Sequence, residues 1–282
     1  MRERTVAQVV VSWALLALAV TAAWSLLFAL SFSGLQEGHA QRTAYAALRK
    51  SLATQTAPLG GVIEPGTPVA LLDAPSLGLR DVVVVEGTAS GDLQRGPGHR
   101  RDTVLPGQVG TSVVYGRTRL FGAPFDRVPS AHVGDTVAVV TGQGRFTYTV
   151  TGTRHVGDPL PTLLPAGASR LTLVTASDAS AGRLWSGGQP VYVDAALKGT
   201  AAPSPGVAVA MVPRAEQAMR GDTSALLLVV LWLPLLLAIS VAVVWATLHW
   251  GFVQAWVVGV PLLLLALWGT SEAAAQLLPN LV

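Results

Sequence analysis

The sequence predicts a mainly β protein, an eight-stranded β-barrel carried by three transmembrane α-helices, one N-terminal and two forming a C-terminal hairpin. Hydrophobic residues make up 51% of the 282 residues and charged residues only 12%, against about 25% charge in a soluble domain. The apolar excess is gathered into long runs near the two ends of the chain. Between about Gly60 and Leu197 the pattern changes to short β-rich runs separated by Gly, Pro and Asp turns, the signature of a sandwich or barrel. The arginines behind the net charge of +3 are scattered, so no basic stripe marks a nucleic-acid surface. The chain contains no cysteine. That excludes thiol catalysis, disulfides and cysteine metal sites, and no other metal-ligand spacing appears. No cofactor is expected.

Taken in order, Arg2 and Arg4 precede an apolar run from Val6 to Phe32. A bilayer core needs about 20 apolar residues, and a cleaved signal has an apolar region of only roughly 7–15. Residues 1–33 therefore read as a cytoplasmic N-terminus and an uncleaved first membrane helix. Residues 34–58 are Ala-rich, carry Arg42, Arg49 and Lys50, and read as a helical stalk leaving the membrane.

Residues 59–198 are the barrel. Its strands are expected near Val62-Ile63, Val69–Leu72, Val82–Val85, Ser112–Tyr115, Thr136–Val140, Arg145–Thr153, Arg170–Thr175 and Val191–Ala195. The clearest hairpin turns at Thr141-Gly142-Gln143-Gly144. Residues 199–222 form an Ala/Pro/Gly linker whose composition favours a flexible, extended tether.

Residues 223–247 and 250–269 are the second and third membrane helices, with Leu248-His249 as a short break and 270–282 as a C-terminal tail. Pro234 and Pro261 are tolerable inside such helices. All tryptophans except Trp185 lie in or beside the apolar runs, as interfacial belts predict. The hairpin is also a candidate surface for a membrane partner. The positive-inside rule conflicts with itself: Arg2 and Arg4 oppose Arg42, Arg49, Lys50, Arg214 and Arg220 on the barrel side. It weakens for long translocated domains, so charge alone leaves the topology open.

Several motifs keep a common order along the barrel: Glu86-Gly87-Thr88, Gly96-Pro97-Gly98-His99, Leu105-Pro106-Gly107-Gln108, Gly122-Ala123-Pro124-Phe125, Val133-Gly134-Asp135 and Leu171-Thr172-Leu173-Val174-Thr175. In this order they resemble the sortase family, particularly the class E type of high-GC, actinobacterial Gram-positive bacteria. The resemblance implies an extracytoplasmic barrel, and the three apolar runs make the expected protein multi-pass in the cell membrane. The resemblance also implies cysteine transpeptidase ancestry, in which a thiolate, a histidine and an arginine pass an acyl group from a sorting signal to an amine.

Placed residue by residue, all three family positions are replaced. The nucleophile position after Thr175 is Ala176. The histidine position after Val113-Val114-Tyr115-Gly116 is Arg117. The arginine position before the last strand is Gln189 or Pro190. Ala176 has no lone pair, and arginine does not give up a proton near neutral pH. The expected function is therefore a catalytically inactive, sortase-like pseudoenzyme of the cell envelope. Its barrel would bind a sorting-signal-like peptide or an envelope protein in a groove lined by Tyr115, Arg117, Ala176, Ser177 and Trp185. Two alternatives stand beside it. One is a hydrolase or transpeptidase using Ser177 with His99 as base, although adjacent strand residues face opposite ways. The other is a structural subunit of a membrane complex.

Overall fold

The computed structural model describes residue 20, residues 23–177, residues 188–207 and residues 209–282. Eight strands close a barrel: β1 Pro68–Ala74, β2 Leu79–Glu86, β3 Gly98–His99, β4 Gly110–Tyr115, β5 Thr136–Thr141, β6 Gly144–Arg154, β7 Ser169–Ala176 and β8 Pro190–Lys198. Around the wall they run β1-β2-β3-β4-β7-β8-β6-β5. Alternation sends one side chain in two to the interior. Leu72, Val84, Val114, Val137, Val139, Tyr148, Leu171, Leu173 and Val193 meet there as one buried core. Full burial of such a side chain contributes about 1.5–3 kcal/mol, so the alternating pattern alone fixes which face of each strand points inward. The hairpin at Thr141–Gly144 joins β5 to β6, with Val139 opposite Phe146.

The strand expected at Val62-Ile63 does not form. Val62 is 87% exposed, and Gly61 makes only an isolated bridge to Val207. The eighth strand is instead the two-residue β3, parallel to β2 and antiparallel to β4. It lies so close to its neighbours that only glycine fits at position 98. A Cβ there would stand 2.0 Å from the Gly87 carbonyl oxygen and 2.8 Å from the Leu93 side chain.

Helix α1 spans Ser33–Ala53 and continues from a π-turn at Phe28–Phe32. It docks on the barrel rather than standing away from it as a stalk. The Gln41 amide nitrogen donates to the carbonyls of Val83 (3.0 Å) and Arg95 (2.9 Å), and its amide oxygen accepts from the Val83 N–H at 2.8 Å. The linker is also held to the barrel rather than left as a free tether. Ala202 exchanges backbone hydrogen bonds with Val109 (2.9 Å) and Gly107 (2.8 Å). Glu216 pairs with Arg101 and passes its carbonyl to the Thr88 hydroxyl at 2.8 Å.

Helices α2, Leu226–His249, and α3, Phe252–Gln276, form an antiparallel pair turning at Gly251, whose φ is +105°. α3 runs on past 269, so its last two turns occupy most of the expected tail. Glycines let the two backbones approach. A Cβ on Gly259 would stand 2.5 Å from Val243, and one on Gly269 2.5 Å from Trp232. Among the described residues, Thr223–His249 and Phe252–Gln276 are the helices long and apolar enough to cross a membrane. Most of the first expected span lies outside the described residues. Its described end packs on α3, with Phe28 edge-on to Trp268 at 5.4 Å and the Trp24 indole donating to Ser271 at 3.0 Å.

Candidate functional site

Residues that β7 does not send inward face out between β4 and β8. Thr172 lies beside Val113, and Val174 lies between Tyr115 and Tyr192. Val113, Tyr115, Thr172 and Tyr192 floor a groove of about 470 Å³ that also touches Arg100, Arg154, His155, Leu160 and Arg170. Its side chains are held in place from below. Arg154 forks onto Asp194, which also accepts from the Thr172 hydroxyl at 2.7 Å, and the Arg154 guanidinium lies over the Tyr192 ring at 5.0 Å.

The three replaced family positions converge at one end of this groove. β4 and β7 are parallel and finish side by side, and β8 starts there in the opposite direction. Arg117 follows β4, Ala176 closes β7, and Gln189 precedes β8. Arg117 and Ala176 are buried, not laid open along a cleft edge. Ala176 packs with Leu93, Tyr115 and Val174 around Leu281. The Arg117 guanidinium has no exposed surface and donates to the carbonyl of Val282 (2.6 Å), the carbonyl of Ser90 (3.0 Å) and the Ser90 hydroxyl (2.8 Å). It also lies over Phe121 at 5.0 Å. Burial pulls its pKa down to about 9, which still leaves it protonated at neutral pH.

Segment 277–282, which follows α3, therefore packs just beyond that end of the groove, with Leu281 against Tyr115 and Ala176. The Asn280 amide donates to the carbonyls of Thr88 (2.8 Å) and Gln217 (3.0 Å). The Leu281 carbonyl accepts from the Thr118 N–H at 3.0 Å, and Thr118 Oγ1 accepts from the Ala176 N–H at 3.0 Å. Sequence reading had Thr88 only within a motif and assigned it no place at the site, and it missed Ser90, Thr118 and 280–282. No local signal marks them, because they meet only across long stretches of chain.

The other sequence candidates fall elsewhere or are committed. Tyr115 is buried in the same cluster, and burial raises its phenol pKa. Ser177 exchanges bonds with Gln189: its N–H reaches the Gln189 carbonyl at 2.7 Å, and its hydroxyl accepts from the Gln189 N–H at 3.0 Å. His99, on β3, is buried with Nδ1 2.8 Å from Glu86 Oε2 and Nε2 2.9 Å from the Val104 carbonyl. Trp185 lies outside the described residues.

Residues 72–189 match the family model described as Sortase domain. The barrel is a sortase domain. Sortase D of Bacillus subtilis (strain 168) is 30% identical over 93 residues, which are 33% of this chain and 45% of that protein. The chain thus spans less than half the length of that curated relative. Among solved structures, a sortase E point mutant from Streptomyces avermitilis is 31% identical, with TM-score 0.40, over 55% of this chain and 100% of that one. A Clostridium perfringens sortase D5 transpeptidase is 20% identical, with TM-score 0.46, over 57% and 99%. The chain has no cysteine, so this domain holds no thiol.

One titration is legible at the rim. Asp92, beside Leu93, has its pKa pushed up to about 6, first by burial and then by the negative charge of Glu216. Between the ordinary value of 3.8 and about 6 the folded chain keeps a proton that the unfolded chain has lost. Stability therefore falls as pH rises across that window and levels off above it. Melting temperatures measured from pH 4 to 8 are expected to drop over this window in the wild type. In Asp92→Asn the drop shrinks, and an identical pH profile in the variant would refute the assignment.

Proposed function

We propose that the protein is a membrane-anchored, catalytically inert sortase-like protein. Its barrel lies outside the cytoplasm and binds a peptide or envelope partner along the β4–β7–β8 groove without acyl transfer. The observation that carries this reading is the pairing of Ala176 with a sealed Arg117 where nucleophile and proton carrier are needed, while the groove floor beyond them stays open. A methyl group cannot form an acyl intermediate, and a protonated, fully buried guanidinium cannot act as a base. The Ser177 route has less support. Its hydroxyl is held by Gln189, and the His99 ring is tied to Glu86 and Val104.

The test uses the full chain in nanodiscs with a panel of sorting-signal-like peptides. Calorimetry is expected to report binding that Tyr192→Ala weakens, and mass spectrometry is expected to find every peptide intact. A cleaved peptide or a covalent adduct overturns the reading, as does a failure to bind any member of the panel.

A further inference from the structure

We infer that the seat just beyond the end of the groove is a recognition site for one class of peptide, an asparagine followed by two aliphatic residues. Residues 280–282 fill it in cis, and a peptide of the same class fills it in trans. The inference rests on the peptide-binding reading above and says which peptide and where.

Each residue of the segment meets a different built contact. Asn280 is fully buried, with its amide nitrogen shared between two carbonyls. Leu281 fills the apolar seat made by Leu93, Tyr115, Val174 and Ala176. Main-chain carbonyls of Leu281 and Val282 are taken by the Thr118 N–H and the Arg117 guanidinium. The segment is presented as a tight turn, closed by the Val282 N–H on the Pro279 carbonyl at 3.2 Å, so successive side chains reach separate seats from a turned backbone.

The seat favours being filled. With segment 277–282 gone, Arg117 loses an acceptor that the barrel does not replace, and four apolar side chains lose their cover. A buried cation without its hydrogen bonds is costly, so an incoming peptide carbonyl gains what the segment gives up. The occupant in cis is nevertheless imperfect. Asn280 Oδ1 and Arg117 Nε are buried without a hydrogen-bond partner. Its advantage is the tether, because only Leu277, Leu278 and Pro279 separate Asn280 from the end of α3, and a short tether supplies effective concentrations in the millimolar range. A ligand favoured by tethering more than by fit gives way to a better-fitting peptide.

The probe is a fluorescein-labelled peptide of residues 276–282, added to the full chain in nanodiscs and to the chain shortened after Leu278. A segment that fills the site about nine-tenths of the time hides it roughly tenfold, so the shortened chain is expected to bind at least that much more tightly. A probe with aspartate in place of leucine at the position of Leu281 is expected not to bind. A second measurement keeps the full segment. Because the chain has no cysteine, Val282→Cys carries a single thiol, and its maleimide labelling is expected to be slow and to speed up when unlabelled peptide saturates the site. Equal affinity of the two chains, or a labelling rate that ignores the peptide, overturns the inference. If the shortened chain refuses this probe but still binds members of the sorting-signal panel, the inference falls and the peptide-binding reading stands. If it binds neither, both fall.

Discussion

Arg117→Ala is expected to lower the melting temperature of the full chain by about 6–12 °C, the shift that a loss of roughly 3 kcal/mol produces in a chain of this size class. The figure follows from what the guanidinium does. It makes hydrogen bonds to two carbonyls and a hydroxyl with no exposed surface. Bonds to a charged donor contribute about 1.5–3 kcal/mol each, and removing the donor leaves its acceptors unsatisfied. Desolvating the cation offsets part of that total, which is why the net is nearer one such bond than three. Arg117→Met restores the apolar volume without the donors, so the gap between Ala and Met measures packing and the gap between Met and wild type measures hydrogen bonding. Arg117→Lys is not conservative here, since a single ammonium cannot serve the spread of acceptors that a planar fork reaches. Hydrogen exchange followed by digestion gives a second readout, because the amides of residues 280–282 are expected to lose protection in each variant. Unchanged melting and unchanged exchange would show that the buried arginine holds nothing.

Asp194→Ala is the other large effect, a loss of about 1.5–3 kcal/mol, the contribution of a hydrogen bond to a charged group, since Arg154 lines the open groove and is solvated once its partner is gone. Asp194 is buried in β8, where its carboxylate takes both the Arg154 fork and the Thr172 hydroxyl. Removing it frees Arg154 from below and loosens the guanidinium over Tyr192. The variant should therefore lose peptide affinity as well as stability. In the Arg154→Ala, Asp194→Ala double variant the two losses should fall short of additivity by about 0.5–3 kcal/mol, as for residues in direct contact. Strict additivity in thermal unfolding would mean that the pair acts independently and that the groove floor is held by other contacts.

Strands that carry a full period of alternation, such as β5, β6 and β7, were legible because burial on one face forces the pattern into the sequence. β3 was not, since two residues cannot display a period and its glycine answers to a neighbour's backbone. Val62-Ile63 misled for another reason: Val62 stays exposed, and Ile63 packs against the core without joining a strand. At the site, the placing of Arg117, Ala176 and Gln189 together followed from strand order, which motif order reveals. The environment of Arg117 did not. Its acceptor Val282 is 165 positions away in the chain, and nothing local to either residue records the contact. The same holds for His99, whose partner Glu86 was visible only as part of a motif.

The way α1 meets the barrel has a consequence for how the molecule can be taken apart. β3 is too short to cover the length of β2, and at Val83 the Gln41 side chain supplies the donor and acceptor that a neighbouring strand would otherwise supply. One glutamine thus acts as a fragment of strand borrowed from helix α1. Cutting the barrel free of α1 would leave a sticky edge, the kind of unpaired backbone along which sheets join one another. Soluble fragments beginning after α1 should therefore self-associate through β2, whereas fragments that retain Gln41 should stay monomeric.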